Sequence, residues 1–229
     1  FDVGLHLGTF LAVLAYFWRD WWRIGRDFAR GLARLTPFEG QARLGWLLLL
    51  GTIPGALAGI LFEHDAETAF RDIRIVAVML ILLGQVLLVA ERLAQHTRRL
   101  EQLSWADSLL VGMAQALAII PGVSRSGSTI SMSLFRGFQR EAAARFSFLL
   151  GTPIILGASA KRLYPLFTGG LPPDETLLFV VGAVSAAVAG FATIALLLRY
   201  LQRHSTLPFV VYRLALGLGL LGLAAWRGL

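Results

Sequence analysis

Residues 119–129 read Ile-Ile-Pro-Gly-Val-Ser-Arg-Ser-Gly-Ser-Thr. They set an arginine, three serines and a threonine between two apolar runs. Arg125 offers a planar fork that matches phosphate oxygens in bidentate fashion. Pro121-Gly122 breaks any helix, and Ser126 opens a new one. The amides and positive dipole end of that new helix favour an anion. Ser124, Ser126 and Thr129 add hydroxyl donors, and Gly122 and Gly127 let the backbone approach a ligand closely. Together these residues form a cradle for phosphate or pyrophosphate. The plainer alternative is a structural turn in which Arg125 pairs with a carboxylate from another segment. An unpaired arginine inside a membrane costs about 3 kcal/mol on insertion scales, which favours the anion site.

Around this centre, Arg125, Ser124 and Ser126 are the candidate catalytic residues. Pro121, Gly122, Gly127, Thr129, Gln115 and His6 are the candidate substrate-binding residues. Gln115 precedes the turn on the same apolar run, where its amide has two readings: a ligand contact or a helix–helix hydrogen bond. His6, alone in an apolar run, fits a packing role more readily than a ligand contact. Arg145 and Ser147 are polar at the start of a later run, where an arginine can snorkel to the interface. His64, His96 and His204 lack metal-ligand spacing, and no metal site is expected from this chain's residues. The acids Glu91, Glu101, Glu141 and Glu175 lie at run ends or in loops, so no general base is visible at depth.

The elements that must position the cradle are set by composition. Of the 229 residues, 56% are hydrophobic and only 15% charged, against about 25% charged in a soluble domain. Mean hydropathy is +0.68. The chain is therefore expected to be an all-α, polytopic membrane protein. There is no cysteine, which excludes disulfides and thiolate chemistry. The net charge of +7 is nearly all arginine, and in a membrane protein it reflects cytoplasmic loops, not a nucleic-acid partner.

Six runs approach spanning length, near 1–18, 44–62, 73–90, 142–160, 177–198 and 207–226. Between the third and fourth, 106–120 and 126–135 are short for a crossing. Broken by Pro121-Gly122, they predict a re-entrant hairpin over 106–137 that enters and leaves on one side. Basic clusters at 19–43, 92–99, 136–145 and 199–203 then all face the cytoplasm, as the positive-inside rule asks, and the acidic loop 63–72 faces outward. Trp18, Trp21, Trp22, Trp46 and Trp105 read as interfacial anchors.

A weak internal repeat divides the chain. Leu7-Gly8-Thr9 matches Leu150-Gly151-Thr152, Gly51 and Gly59 match Gly182 and Gly190, and Gly84 matches Gly217. Residues 1–92 and 104–229 thus form a 3+3 inverted repeat within one membrane domain, a design that places sites near the midplane. The second half carries the hairpin. The first half lacks a counterpart, which would precede Phe1.

At 121–129 the sequence resembles the undecaprenyl pyrophosphate phosphatase family, the bacitracin-resistance membrane phosphatases of bacterial envelope synthesis. The family pattern Pro-Gly-x-Ser-Arg-Ser-x-x-Thr is matched by Pro121, Gly122, Ser124, Arg125, Ser126 and Thr129. The opening Phe1 to Thr9 is similar to the family's first full span, with His6 at a position often Gln or His. Phe146-Ser147-Phe148-Leu149-Leu150 and Pro153 resemble the segment after the hairpin.

The resemblance implies hydrolysis of a C55 polyprenyl pyrophosphate to the monophosphate carrier and inorganic phosphate, in the bacterial inner membrane. It implies a site open to the periplasmic face and a supporting divalent cation, Mg²⁺ or Ca²⁺. It leaves a homodimer as one candidate assembly. The family's N-terminal Glu-x-x-x-Glu element and serine nucleophile map to no position here, so a polypeptide beginning at Phe1 is expected to be inactive. The rival class is an anion or polyprenyl-phosphate transporter, since inverted repeats with broken helices also serve transport.

Overall fold

The computed structural model describes residues 2–34, 38, 40–62, 72–169 and 173–227. Among them the regular elements are helical. In chain order they are α1 (Asp2–Tyr16), α2 (Trp18–Ala33), α3 (Gly40–Leu61), α4 (Ile73–Leu93), α5 (Trp105–Ala116), α6 (Arg125–Phe135), α7 (Arg140–Gly169), α8 (Pro173–Leu201) and α9 (Leu207–Arg227). Single 3₁₀ turns at Leu100–Gln102 and Leu117–Ile119 join α4 to α5 and α5 to the Pro-Gly turn.

Among the described residues five helices are long and apolar enough to cross a membrane: α3, α4, α8, α9 and the Arg140–Lys161 part of α7. The first expected span is divided, because α1 stops at Tyr16 and the chain bends at Phe17. Phe17 is fully buried, its ring 4.9 Å from Tyr16 and 6.1 Å from Phe148. The other boundaries fall within a few residues of the sequence expectation, except that α7 runs further at its C-terminal end and α8 at its N-terminal end. The acidic loop 63–72 lies outside the described residues apart from Asp72, whose carboxylate caps α4 by accepting from Arg74 N at 2.7 Å.

Residues 18–33, expected as a basic loop, form a helix instead. Arg19, Arg23, Arg26 and Arg30 recur at helical spacing on one exposed stripe. Ile24 and Gly31 are buried on another face, and Trp18, Trp22 and Leu32 are exposed on a third. Charge alone suggested a loop; its three-to-four-residue period is a helix signature.

The described chain forms two compact units. One comprises residues 1–46 and 148–200, the other 47–147 and 201–229. In the first, the glycine face of α1 lies on α8: a Cβ at Gly8 would overlap Ala183 and Ala186. The second contains the expected hairpin residues. Within it α4 and α9 pack through paired glycines. A Cβ at Gly84 would touch Leu214 at 3.2 Å, and one at Gly217 would press on Ala77 O at 2.9 Å. Small residues let two membrane helices approach by backbone contact.

Candidate active site

Asp107 fixes the chain on both sides of the turn. It is completely buried in the first turn of α5. Its Oδ1 accepts from Arg136 Nε at 2.6 Å, and Oδ2 accepts from Arg98 Nη2 at 2.5 Å and from Ser104 Oγ at 2.7 Å. Arg136 caps the end of α6, so this one carboxylate ties the start of α5 to the end of α6. Arg98 adds hydrogen bonds to Arg136 O and Gln102 O, both 2.8 Å, and lies over the Phe138 ring. Burial pushes the Asp107 pKa up, but the hydrogen bonds from Arg98, Arg136 and Ser104 outweigh it and hold the carboxyl below the ordinary aspartate range. Nearby, Glu91 accepts from Arg140 Nε at 2.7 Å and Thr206 Oγ1 at 2.9 Å. Both buried acids are therefore committed to structural pairs.

α5 itself is held on α3. Ser108 Oγ donates to Leu47 O, and a Cβ at Gly112 would overlap Gly51 backbone. At the far end of α5, Gln115 is only 3% exposed, and neither its amide oxygen nor its amide nitrogen has a hydrogen-bond partner among the described residues. A buried, unsatisfied amide costs about 1–3 kcal/mol and marks a place where a partner is missing. The helix–helix hydrogen bond that was the plainer reading of Gln115 is absent among the described residues.

The turn leads into α6. Gly122 has φ +89°, and a Cβ there would press on Val76 O. Its glycine is therefore required by the turn and by contact with α4. Ser124 is the N-cap of α6, its Oγ accepting from Gly127 N at 3.2 Å and lying 3.3 Å from Ser126 Oγ. Thr129 is fully buried. Its Oγ1 lies 2.8 Å from Arg125 O, to which it donates, and 2.6 Å from Ser147 Oγ. That hydroxyl is occupied within the protein, so Thr129 holds the Arg125 backbone in place and ties α6 to α7. Ser128, Ser131 and Ser133 likewise bond back to carbonyls of their own helix.

Arg125 remains without an ion-pair partner among the described residues, with Ser126 beside it held only by its contact to Ser124. Among the described residues no carboxylate pairs with Arg125, so the structural-turn alternative has no partner to offer. The Arg125 and Ser126 amides open α6, which carries no acidic residue in its first turn. Gly127 lies against a side chain from another helix. A Cβ there would overlap the guanidinium of Arg213, from α9. Arg213 was missed in the sequence because a lone arginine inside an apolar span gives no local sign of its neighbour. His6 lies on α1 in the other compact unit and is exposed.

No group of three or more His, Asp or Glu side chains able to hold a metal occurs among the described residues. Guanidinium and hydroxyl groups are not a divalent cation's ligand set, so the turn does not fit a resident metal.

This geometry defines a class: a polytopic helical membrane protein whose α6 start carries an arginine with no carboxylate partner among the described residues. Residues 1–219 match the family described as Bacitracin resistance protein BacA, and the chain belongs to that family. It is 53% identical to an undecaprenyl-diphosphatase of Thermomicrobium roseum, over 96% of this chain and 82% of the relative. It is 45% identical to the undecaprenyl-diphosphatase of Desulforudis audaxviator, over all of this chain and 84% of the relative. The undecaprenyl-diphosphatase of Moorella thermoacetica is 48% identical over 94% of this chain and 79% of its own length.

Proposed function

We propose that the protein hydrolyses undecaprenyl pyrophosphate to undecaprenyl phosphate and inorganic phosphate, returning the lipid carrier to cell-wall synthesis. The observation that carries this reading is Arg125, a cation at the positive end of α6 with no carboxylate partner among the described residues. Family membership and relatives named undecaprenyl-diphosphatase supply the substrate class.

In this mechanism Arg125 and the first amides of α6 bind the pyrophosphate oxygens. Charge spreads over the equatorial oxygens as the terminal phosphoryl group passes to water and undecaprenyl phosphate departs as the leaving group, and a preoriented guanidinium stabilises that charge without reorganising. Ser126 donates a further hydrogen bond. Ser124 keeps the helix start in shape, Thr129 holds the Arg125 carbonyl, and Gln115 turns its free amide toward the ligand. A divalent cation would arrive with the pyrophosphate as its counter-ion.

The architecture proposed for this chemistry is the 3+3 inverted repeat with a re-entrant α5–α6 hairpin. The Asp107–Arg136 bond supports the hairpin, since it brings the two outer ends of α5 and α6 to one level. The facing glycines Gly84 and Gly217, which occupy matching places in the two halves, support the repeat. The hairpin enters from the cytoplasmic side of the inner membrane, and the site opens to the periplasm. The exposed Trp18 and Trp22 of α2, beside its arginine stripe, suit a helix lying at the lipid interface.

Purified, detergent-solubilised full-length protein should release inorganic phosphate from undecaprenyl pyrophosphate with no ion gradient. Binding without phosphate release would sink the phosphatase reading.

A further inference from the structure

We propose that Arg213 is a second phosphate-binding guanidinium of this site, acting with Arg125 on the same pyrophosphate. The inference rests on the phosphatase reading above and extends it to a residue outside the hairpin.

Three observations converge. The guanidinium of Arg213 fills the space that a side chain at residue 127 would occupy, against the third residue of α6 and two residues from Arg125. Its Nη1 is buried and has no hydrogen-bond partner among the described residues. No ion pair to a carboxylate is found for either Arg125 or Arg213 among the described residues, whereas Arg98, Arg136 and Arg140 each have one.

The electrostatics of the place make this arrangement informative. The first turn of α6 is the positive end of its dipole, where a cation is disfavoured and an anion favoured. The Arg213 guanidinium, lodged against that turn at Gly127 and two residues along the chain from a second arginine, is repelled by the helix dipole. A protein that only needed to fill space behind Gly127 would use an apolar side chain and avoid the desolvation of a charge. A pyrophosphate resolves all three problems together. It neutralises both cations, satisfies the free Nη1 and accepts from the helix amides.

The position is also built. Arg213 leaves α9 where that helix crosses α4, and a Cβ at Gly84 would stand 3.5 Å from its Cβ. One turn on, Gly217 seats α9 against Ala77 and Ile81. The stem of Arg213 is thus fixed by helix packing, and its fork meets the ligand with little entropy left to lose.

The test uses full-length protein in detergent with Arg213→Met and Arg213→Lys. Inorganic pyrophosphate is the binding probe, and phosphate release from undecaprenyl pyrophosphate is the activity readout. Wild type should be raised in melting temperature by pyrophosphate. Arg213→Met should lose that shift and yet melt no lower than wild type without ligand, because an unpaired buried charge has gone. A merely structural arginine would instead melt lower and keep its shift. Arg213→Lys keeps the charge and loses the fork, and should raise KM at least tenfold; it carries the test alone if Arg213→Met does not fold. Wild-type values for KM and for the pyrophosphate shift in the Lys variant would overturn the proposal while leaving the phosphatase reading standing. A wild type that neither binds pyrophosphate nor releases phosphate would overturn both.

Discussion

Arg136 Nε donates to Asp107 Oδ1 at 2.6 Å, joining the C-cap of α6 to the first turn of α5. The Pro121-Gly122 turn lies between these two helices. Its geometry is therefore guaranteed at the far end, by a carboxylate that never meets the ligand. Asp107→Ala leaves Arg98, Arg136 and Ser104 without their shared acceptor. Removing one partner of a buried ion network costs about 3 kcal/mol here, the low end of the usual range because both arginines are partly exposed. Chemical denaturation in detergent measures it, and a loss below about 1 kcal/mol would show that the ends are held by other contacts.

The same carboxylate sets an acid limit. Asp107 lies outside the five candidate spans, and its pKa is lowered in the fold. A lowered folded-state pKa stabilises fully above the unfolded value, about 4 for aspartate, and that contribution is lost as pH falls from there through the folded value. The melting temperature of wild type should decline below about pH 4 more steeply than that of Asp107→Asn. Parallel declines would argue against the assignment.

Gly122 combines a left-handed backbone with contact on Val76 O. Gly122→Ala pays both the left-handed penalty, about 1–2 kcal/mol, and a clash with backbone. The turn should open, lowering both melting temperature and kcat/KM. Wild-type values for both would mean that the turn tolerates a Cβ.

Thr129 and Ser147 share a hydrogen bond across α6 and α7. Thr129→Val keeps the shape and removes the hydroxyl, leaving Ser147 Oγ and Arg125 O underserved. A loss of about 1–2 kcal/mol in stability is expected. kcat should fall more than KM rises, because Arg125 is displaced by a small distance and not removed. Ser147→Ala in the Thr129→Val background should add little, as a double-mutant cycle would report.

Much of this was legible in the sequence, for identifiable reasons. Pro121-Gly122 breaks a helix wherever it stands, and Ser-Arg-Ser in an apolar setting needs a polar partner. Local rules therefore sufficed for the turn and, to within a residue, for the start of α6; the capping role of Ser124 was not read. Long apolar runs likewise announced α3, α4, α8 and α9. What could not be read was pairing across the fold. The arginines 98, 136 and 140 looked like loop charge, and their carboxylates, Asp107 and Glu91, are distant in sequence. Arg213 reaches Gly127 only because α9 packs on α4. Thr129 carries a ligand-type hydroxyl whose hydrogen bonds go inward, which only the neighbouring Ser147 reveals. The helix at 18–33 was readable from the spacing of its arginines.

The central claim is that Arg125 handles pyrophosphate and not protein structure. Phosphate release from undecaprenyl pyrophosphate, measured beside the melting curve for wild type and Arg125→Ala, tests it most directly. The account predicts turnover reduced at least a thousandfold, about 4 kcal/mol of transition-state stabilisation, with an unchanged or raised melting temperature. Turnover within tenfold of wild type, or loss of activity only in step with unfolding, would contradict it.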